Sequence, residues 1–142
     1  MKFTRKANAE WKGSGKEGQG HLTTGSKVLD KTQYSFQTRF EDGEKGTNPE
    51  ELIGAAHAGC FAMQLSFLLN EANFTATTLE VEAIVTFQDG AITKVNLNLE
   101  GDVPTIDAEQ FQQLAHKAKE VCPISKALYT EIELKVTLKN AL

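Results

Sequence analysis

The sequence is short of cysteine and of arginine, with 2 of each in 142 residues. Two cysteines exclude the disulfide-dense framework of small secreted scaffolds, which needs several paired thiols. They also lack the Cys-x-x-Cys spacing that tunes general disulfide oxidoreductases. Together with 3 scattered histidines they show no close metal-ligand spacing, so no zinc site is expected. There is no positive excess either. A net charge of -4 and a pI near 5.4 argue against nucleic acid or an anionic membrane as the main partner. The basic start Met1-Lys2-Phe3-Thr4-Arg5-Lys6 has no apolar run behind it, so no secretory signal is expected. No stretch approaches ~18 apolar residues without polar interruption, so no membrane span is expected. Repeats and low-complexity tracts are missing too. What is left is the ordinary balance of a globular chain, 40% hydrophobic and 24% charged. It predicts one domain over residues 1–142, in the cytoplasm by default.

Hydrophobic periodicity divides the chain. Phe3, Ala7, Ala9 and Trp11 alternate with polar neighbours, as in a half-buried strand with Trp11 in the core. Gly13 to Gly20 reads as a flexible turn; a phosphate cradle would need a Gly-Lys-Ser/Thr ending that is not there. A short strand is expected over His21 to Thr24. Another holds Tyr34, Phe36, Thr38 and Phe40 on one face, which points Arg39 away from the rings. Asn48-Pro49-Glu50-Glu51 has the grammar of a helix start, with a cap, a first-turn proline and two acids at the positive end of the dipole. That helix should run to Asn70 or Glu71. Leu79 to Phe87 and Val95 to Leu99 alternate on either side of Asp89-Gly90, a hairpin signal. Asp107 can cap a helix with Phe111, Leu114, Ala115 and Ala118 on one face. Pro123 should interrupt it just after Cys122, and a last strand carries Ile132, Leu134, Val136 and Leu138 inward. The fold class is α+β.

From Leu52 to Met63 the long helix has one clearly polar residue, His57, so it is expected to be buried on nearly every side. Gly54, Ala58 and Ala62, and also Ala55 and Gly59, leave room for another backbone to approach. Cys60 in this setting is either a buried small hydrophobe or a reactive thiol. Cys122 stands at a helix break, where it can be presented or can move. A cysteine with a pKa near 8.5 is only about 3% thiolate at pH 7, whereas a guanidinium lowering it by ~2 units leaves it roughly three-quarters ionised. A working thiol therefore needs a fixed cation. Of the two arginines, Arg39 stands just before the loop into the cysteine helix.

Phe36-Gln37-Thr38-Arg39-Phe40, then Gly46-Thr47-Asn48-Pro49-Glu50-Glu51-Leu52-Ile53-Gly54-Ala55-Ala56-His57-Ala58-Gly59-Cys60-Phe61, then Val121-Cys122-Pro123-Ile124-Ser125 closely resemble the osmotically inducible protein C (OsmC) family. That family is related to the organic hydroperoxide resistance proteins, and the resemblance covers essentially the whole chain. It implies an OsmC-like α+β fold, with antiparallel sheets packed around a long buried central helix in an intertwined homodimer. It further implies a two-cysteine peroxidase in which Cys60 attacks the peroxide and Cys122 resolves the sulfenic acid. Arg39 and Glu50 match the polar pair that serves the thiolate. Phe40 after the arginine matches the OsmC branch; the hydroperoxide-resistance branch takes its arginine from an earlier loop. No bound cofactor is implied. The reductant is an external dithiol, with a lipoylated protein as the candidate.

On this reading the substrate is an organic alkyl or lipid hydroperoxide, and Phe61 and Met63 are either selectors for it or plain core. The competing reading is a non-enzymatic binder of a hydrophobic ligand with structural thiols. His57, three residues before Cys60, is either a base or a core histidine. His21 and His116 are expected at the surface, and Glu51 competes with Glu50 for Arg39. Glu50 and Cys60 are ten positions apart, roughly 15 Å along a straight helix. Glu50 is therefore expected to reach Cys60 from the partner subunit.

Overall fold

A computed structural model of the chain describes residues 1–140. The chain divides into two compact units, Met1–Leu52 and Ile53–Leu142.

In the first unit, β1 (Ala7–Lys12), β2 (Gln19–Thr24) and β3 (Thr32–Tyr34) form an antiparallel sheet in that order. The glycine-rich segment is the turn between β1 and β2. Gly20 sits opposite Trp11, and any Cβ there would strike the rings of Trp11 and Tyr34, whose centroids are 5.4 Å apart. The first strand starts later than its periodicity suggests. Every residue of β1 is exposed, so Trp11 covers its neighbour Tyr34 rather than entering a core.

The second correction concerns Phe36–Phe40, which is a short helix, α1, and not a continuation of β3. Ser35 decides it. Its Oγ accepts from the Thr38 backbone N–H at 3.2 Å, while its own N–H donates to Thr38 Oγ1 at 2.7 Å. This is a capping box with threonine in place of the usual acid, and it satisfies donors that a strand would offer to a neighbour. Aromatic residues at Phe36 and Phe40 suit both periods. Here they meet at i,i+4, with centroids 4.8 Å apart. The guanidinium of Arg39 consequently lies 5.2 Å from the Phe40 ring centre instead of pointing away from the aromatics.

The long helix, α2, spans Pro49–Glu71, within a residue of expectation. Asn48 Oδ1 accepts from the Glu51 N–H at 2.7 Å, the cap that the sequence signalled. By length and mean composition α2 falls in the range of a membrane-crossing helix, although His57, Gln64 and Ser66 interrupt its apolar run as expected. A core helix of a globular fold passes the same test, and α2 carries the core of the second unit.

That unit holds a sheet ordered β4-β5-β6, from β4 (Thr78–Gln88), β5 (Ala91–Asp102) and β6 (Glu131–Leu138). The β4–β5 hairpin turns at Asp89-Gly90, both at positive φ (51° and 81°), as a type I′ two-residue turn requires. Between β5 and β6 come α3 (Ala108–Val121) and α4 (Pro123–Ala127). This crossover is long enough to bring β6 back parallel to β5, so the sheet is mixed and not purely antiparallel. Asp107 caps α3 by accepting from Gln110 N–H at 2.8 Å.

Phe61, Leu65 and Leu69 of α2, Val95 and Leu97 of β5, and Phe111 of α3 are fully buried in one cluster. Each such side chain contributes roughly 1.5–3 kcal/mol relative to exposure. Burial is confined to one face of α2, through Gly54, His57, Phe61, Leu65 and Leu69. The opposite face is exposed, with Met63 at 62% and Phe67 at 58%. The expectation of burial on nearly every side therefore fails for one chain, because the core it enters covers a single face.

Candidate active site

Cys60 and Cys122 are brought together by helix geometry within the second unit. Cys60 stands on the face of α2 that enters the core. Cys122 closes α3 and opens α4 with an extended backbone, φ −61° and ψ 123°, because Pro123 cannot continue α3. Its side chain makes no cap hydrogen bond, which leaves the sulfur free to face inward. The Cys122 thiol donates to Cys60 Sγ at 2.9 Å. Both are free thiols, Cys122 buried and Cys60 partly exposed.

Burial pushes the Cys60 thiol up from its ordinary pKa, and the neighbouring Cys122 sulfur raises it further; a backbone hydrogen bond from Ile124 opposes them. In this resting arrangement the Cys60 proton is held on.

A second pair flanks the first. His57 lies one turn before Cys60 and is fully buried; its Nε2 is 2.8 Å from Ser125 Oγ. Burial lowers its pKa, so the imidazole is neutral at neutral pH. Its other nitrogen, Nδ1, is buried with no hydrogen-bond partner. Ser125 and Ile124 were not singled out by sequence reasoning. The only available signal was their place in the Cys122-Pro123-Ile124-Ser125 run, and its use requires knowing that α4 faces α2.

Arg39 and Glu50 meet within the first unit. The guanidinium donates through Nε to Glu50 Oε1 at 2.9 Å and through Nη2 to Oε2 at 3.0 Å. This two-pronged geometry fixes the plane of the guanidinium as a single hydrogen bond would not. The α1 turn presents the arginine and the first turn of α2 presents the acid. Glu51, the rival for Arg39, instead accepts from Thr47 Oγ1 at 2.7 Å. Asn48 Nδ2 donates to the Thr38 carbonyl at 3.2 Å and ties the helix start to α1.

Phe61 is core and Met63 is exposed. His116 is exposed beside Gln112, and His21 is exposed on β2. Among the described residues no three His, Cys, Asp or Glu side chains gather as metal ligands would.

The sequence profile of the family described as OsmC-like protein matches residues 41–137. The chain is 49% identical over 144 residues to a protein of Escherichia coli (strain K12) named peroxiredoxin OsmC, covering 99% of this chain and 100% of that one. It is 33% identical over 124 residues to the organic hydroperoxide resistance protein OhrB of Bacillus subtilis (strain 168), covering 84% and 89% of the two chains. The crystal structure of that OhrB aligns with a TM-score of 0.70 at 32% identity, over 96% of this chain and 98% of its own.

Proposed function

The chain belongs to the OsmC-like protein family, and from that premise we propose that it is a thiol-dependent peroxidase reducing organic hydroperoxides through Cys60 and Cys122. The observation that carries the proposal is the contact of the two sulfurs, 2.9 Å apart on separate helices. The names of the relatives, peroxiredoxin and organic hydroperoxide resistance protein, support the substrate class. The match over residues 41–137 runs across both units, which supports reading them as one OsmC-like domain.

The chemistry follows from the thiols. Cys60 thiolate attacks the distal peroxide oxygen; an S–O bond forms, the O–O bond breaks, and the alkoxide leaves as the alcohol once protonated. Cys122 then attacks the sulfenic sulfur, an S–S bond replaces the S–O bond, and hydroxide departs with a proton as water. An external dithiol, with a lipoylated protein as the candidate, takes the disulfide back to two thiols. A cytoplasmic setting would keep the resting thiols reduced.

Burial and Cys122 hold the proton on Cys60, so attack at neutral pH calls for a cation. We assign that role to Arg39, with Glu50 holding its plane. The chain acts as a homodimer on this reading. The exposed apolar face of α2, including Met63 and Phe67, and the wholly exposed β1 support a second copy as their cover. The Arg39–Glu50 pair of one subunit then serves Cys60 of the other.

The division of labour is tested by single-turnover assays on two variants. Cys60→Ser should abolish consumption of the hydroperoxide. Cys122→Ser should consume about one equivalent and stall, since its sulfenic acid has no resolving thiol. Full turnover by Cys60→Ser would overturn the assignment.

A further inference from the structure

His57 is the one buried polar side chain on the core face of α2, and the mechanism above gives it nothing to do. Its contact has a definite place. His57 and Cys60 are one turn apart on α2; Cys122 and Ser125 are one turn apart at the α3–α4 junction. His57 meets Ser125 at 2.8 Å, and Cys60 meets Cys122 at 2.9 Å. The residue numbers run in opposite senses, so the two segments cross antiparallel with a polar contact and a sulfur contact side by side. The Ile124 backbone reaches Cys60 between them.

The α4 segment needs such a tie. It has only 5 residues, none of them buried. A helix that short has little stability of its own, since isolated helices are marginal below roughly 12 residues. Ile124 and Leu128 pack partly against the core, and that packing leaves rotation and sliding open. A hydrogen bond to a side chain fixed on α2 does not. Directionality is what it adds.

The tautomer fits this role. His57 Nδ1 is buried and unpartnered, and an unpaired buried N–H is rarer and costlier than an unpaired lone pair. The proton therefore belongs on Nε2, which donates to Ser125 Oγ. One nitrogen is committed to Ser125 and the other is shut away from solvent, so neither is placed to act as a base on the peroxide.

We infer that His57 is a positioning residue for the resolving step: through Ser125 it holds the start of α4 so that Cys122 faces Cys60. This rests on the peroxidase reading of the two thiols. Its consequence is a partition. The Cys60 sulfenic acid either condenses with Cys122, forming the disulfide and water, or meets a second hydroperoxide, which oxidises it to the sulfinic acid and leaves as the alcohol. The His57–Ser125 contact favours the first outcome by keeping Cys122 in place. It leaves the initial attack by Cys60 alone.

The test compares the full-length wild-type protein with Ser125→Ala, His57→Leu and His57→Gln, using tert-butyl hydroperoxide and rapid quench followed by mass analysis of Cys60. Glutamine can present an amide N–H about where Nε2 stands, so it is the conservative replacement. Ser125→Ala removes the acceptor from the partly buried side and guards against a His57→Leu protein that fails to fold. In Ser125→Ala and His57→Leu the first oxidation should stay within about two-fold of wild type, while disulfide formation slows about ten-fold, as loss of one oriented hydrogen bond would cause. Sulfinic acid should rise at excess peroxide, and His57→Gln should recover most of the disulfide rate. Disulfide formation in Ser125→Ala as fast as in wild type would overturn the inference. So would an equal slowing of both steps, which marks general damage. If the wild-type protein itself forms neither sulfenic acid nor disulfide, it is the peroxidase reading that has failed.

Discussion

Cys122 points its thiol at Cys60 across 2.9 Å, although 62 positions separate them in the chain. An ordinary disulfide is about 2.05 Å long, so less than an ångström of approach separates this contact from a bond. The contact exists because α2 carries Cys60 on its buried face and Pro123 stops α3 at the residue that faces it. Burial, with the neighbouring Cys122 sulfur, holds the Cys60 proton on, which sets the requirement that the rest of the site must meet.

Arg39 should meet it. Arg39→Ala is expected to slow hydroperoxide reduction at neutral pH about ten-fold or more, the factor that corresponds to ~1.4 kcal/mol of lost charge stabilisation. Arg39→Lys should recover only part of this, because an ammonium cannot reproduce the two-pronged contact with Glu50. Thiolate absorbance against pH is the direct measurement, and the midpoint should move up in Arg39→Ala. Superimposable curves would remove the electrostatic role.

The origin of the pair is a separate matter. Subunits carrying Cys60→Ser can be mixed with subunits carrying Glu50→Ala. If the Arg39–Glu50 pair acts across the interface, the mixed dimer has one site with both residues intact and activity returns to about half of wild type per dimer. If the pair acts within its own chain, the mixed dimer stays as inactive as its parents.

His57 makes stability depend on pH. Its folded pKa is lowered by burial, so between the unfolded value of 6.5 and the lower folded value the unfolded chain binds more protons. Stability should therefore fall as pH drops below about 6.5 and level off once the folded imidazole titrates, with a slope of at most ~1.4 kcal/mol per pH unit from this group. Thermal unfolding from pH 7.5 to 5 in wild type and His57→Gln checks it; the variant should show a shallower slope.

Much of this arrangement was legible in the residues. Asn48-Pro49 marked the start of α2, Asp89-Gly90 the hairpin, Asp107 the start of α3 and Pro123 its end, each through local chemistry that packing does not override. Three features were not. Phe36–Phe40 satisfies both a strand period and a helix i,i+4 pair, and only the Ser35–Thr38 cap breaks the tie. The parallel return of β6 depends on the crossover rather than on the strand's own alternation. Ser125 faces His57 through the crossing of two helices, which no periodicity records. The choice between Glu50 and Glu51 was a matter of one residue of helix register: Glu50 takes the guanidinium and Glu51 turns to Thr47.

The central claim is that Cys60 and Cys122 are a peroxide-driven dithiol pair. The reduced protein is mixed with one equivalent of tert-butyl hydroperoxide, free thiols are counted, and the product is run under denaturing, non-reducing conditions. The account predicts loss of both thiols per chain for each peroxide consumed, with no crosslink between chains. Unchanged thiols with peroxide left in solution would contradict it, and would favour a ligand-binding protein whose thiols are structural.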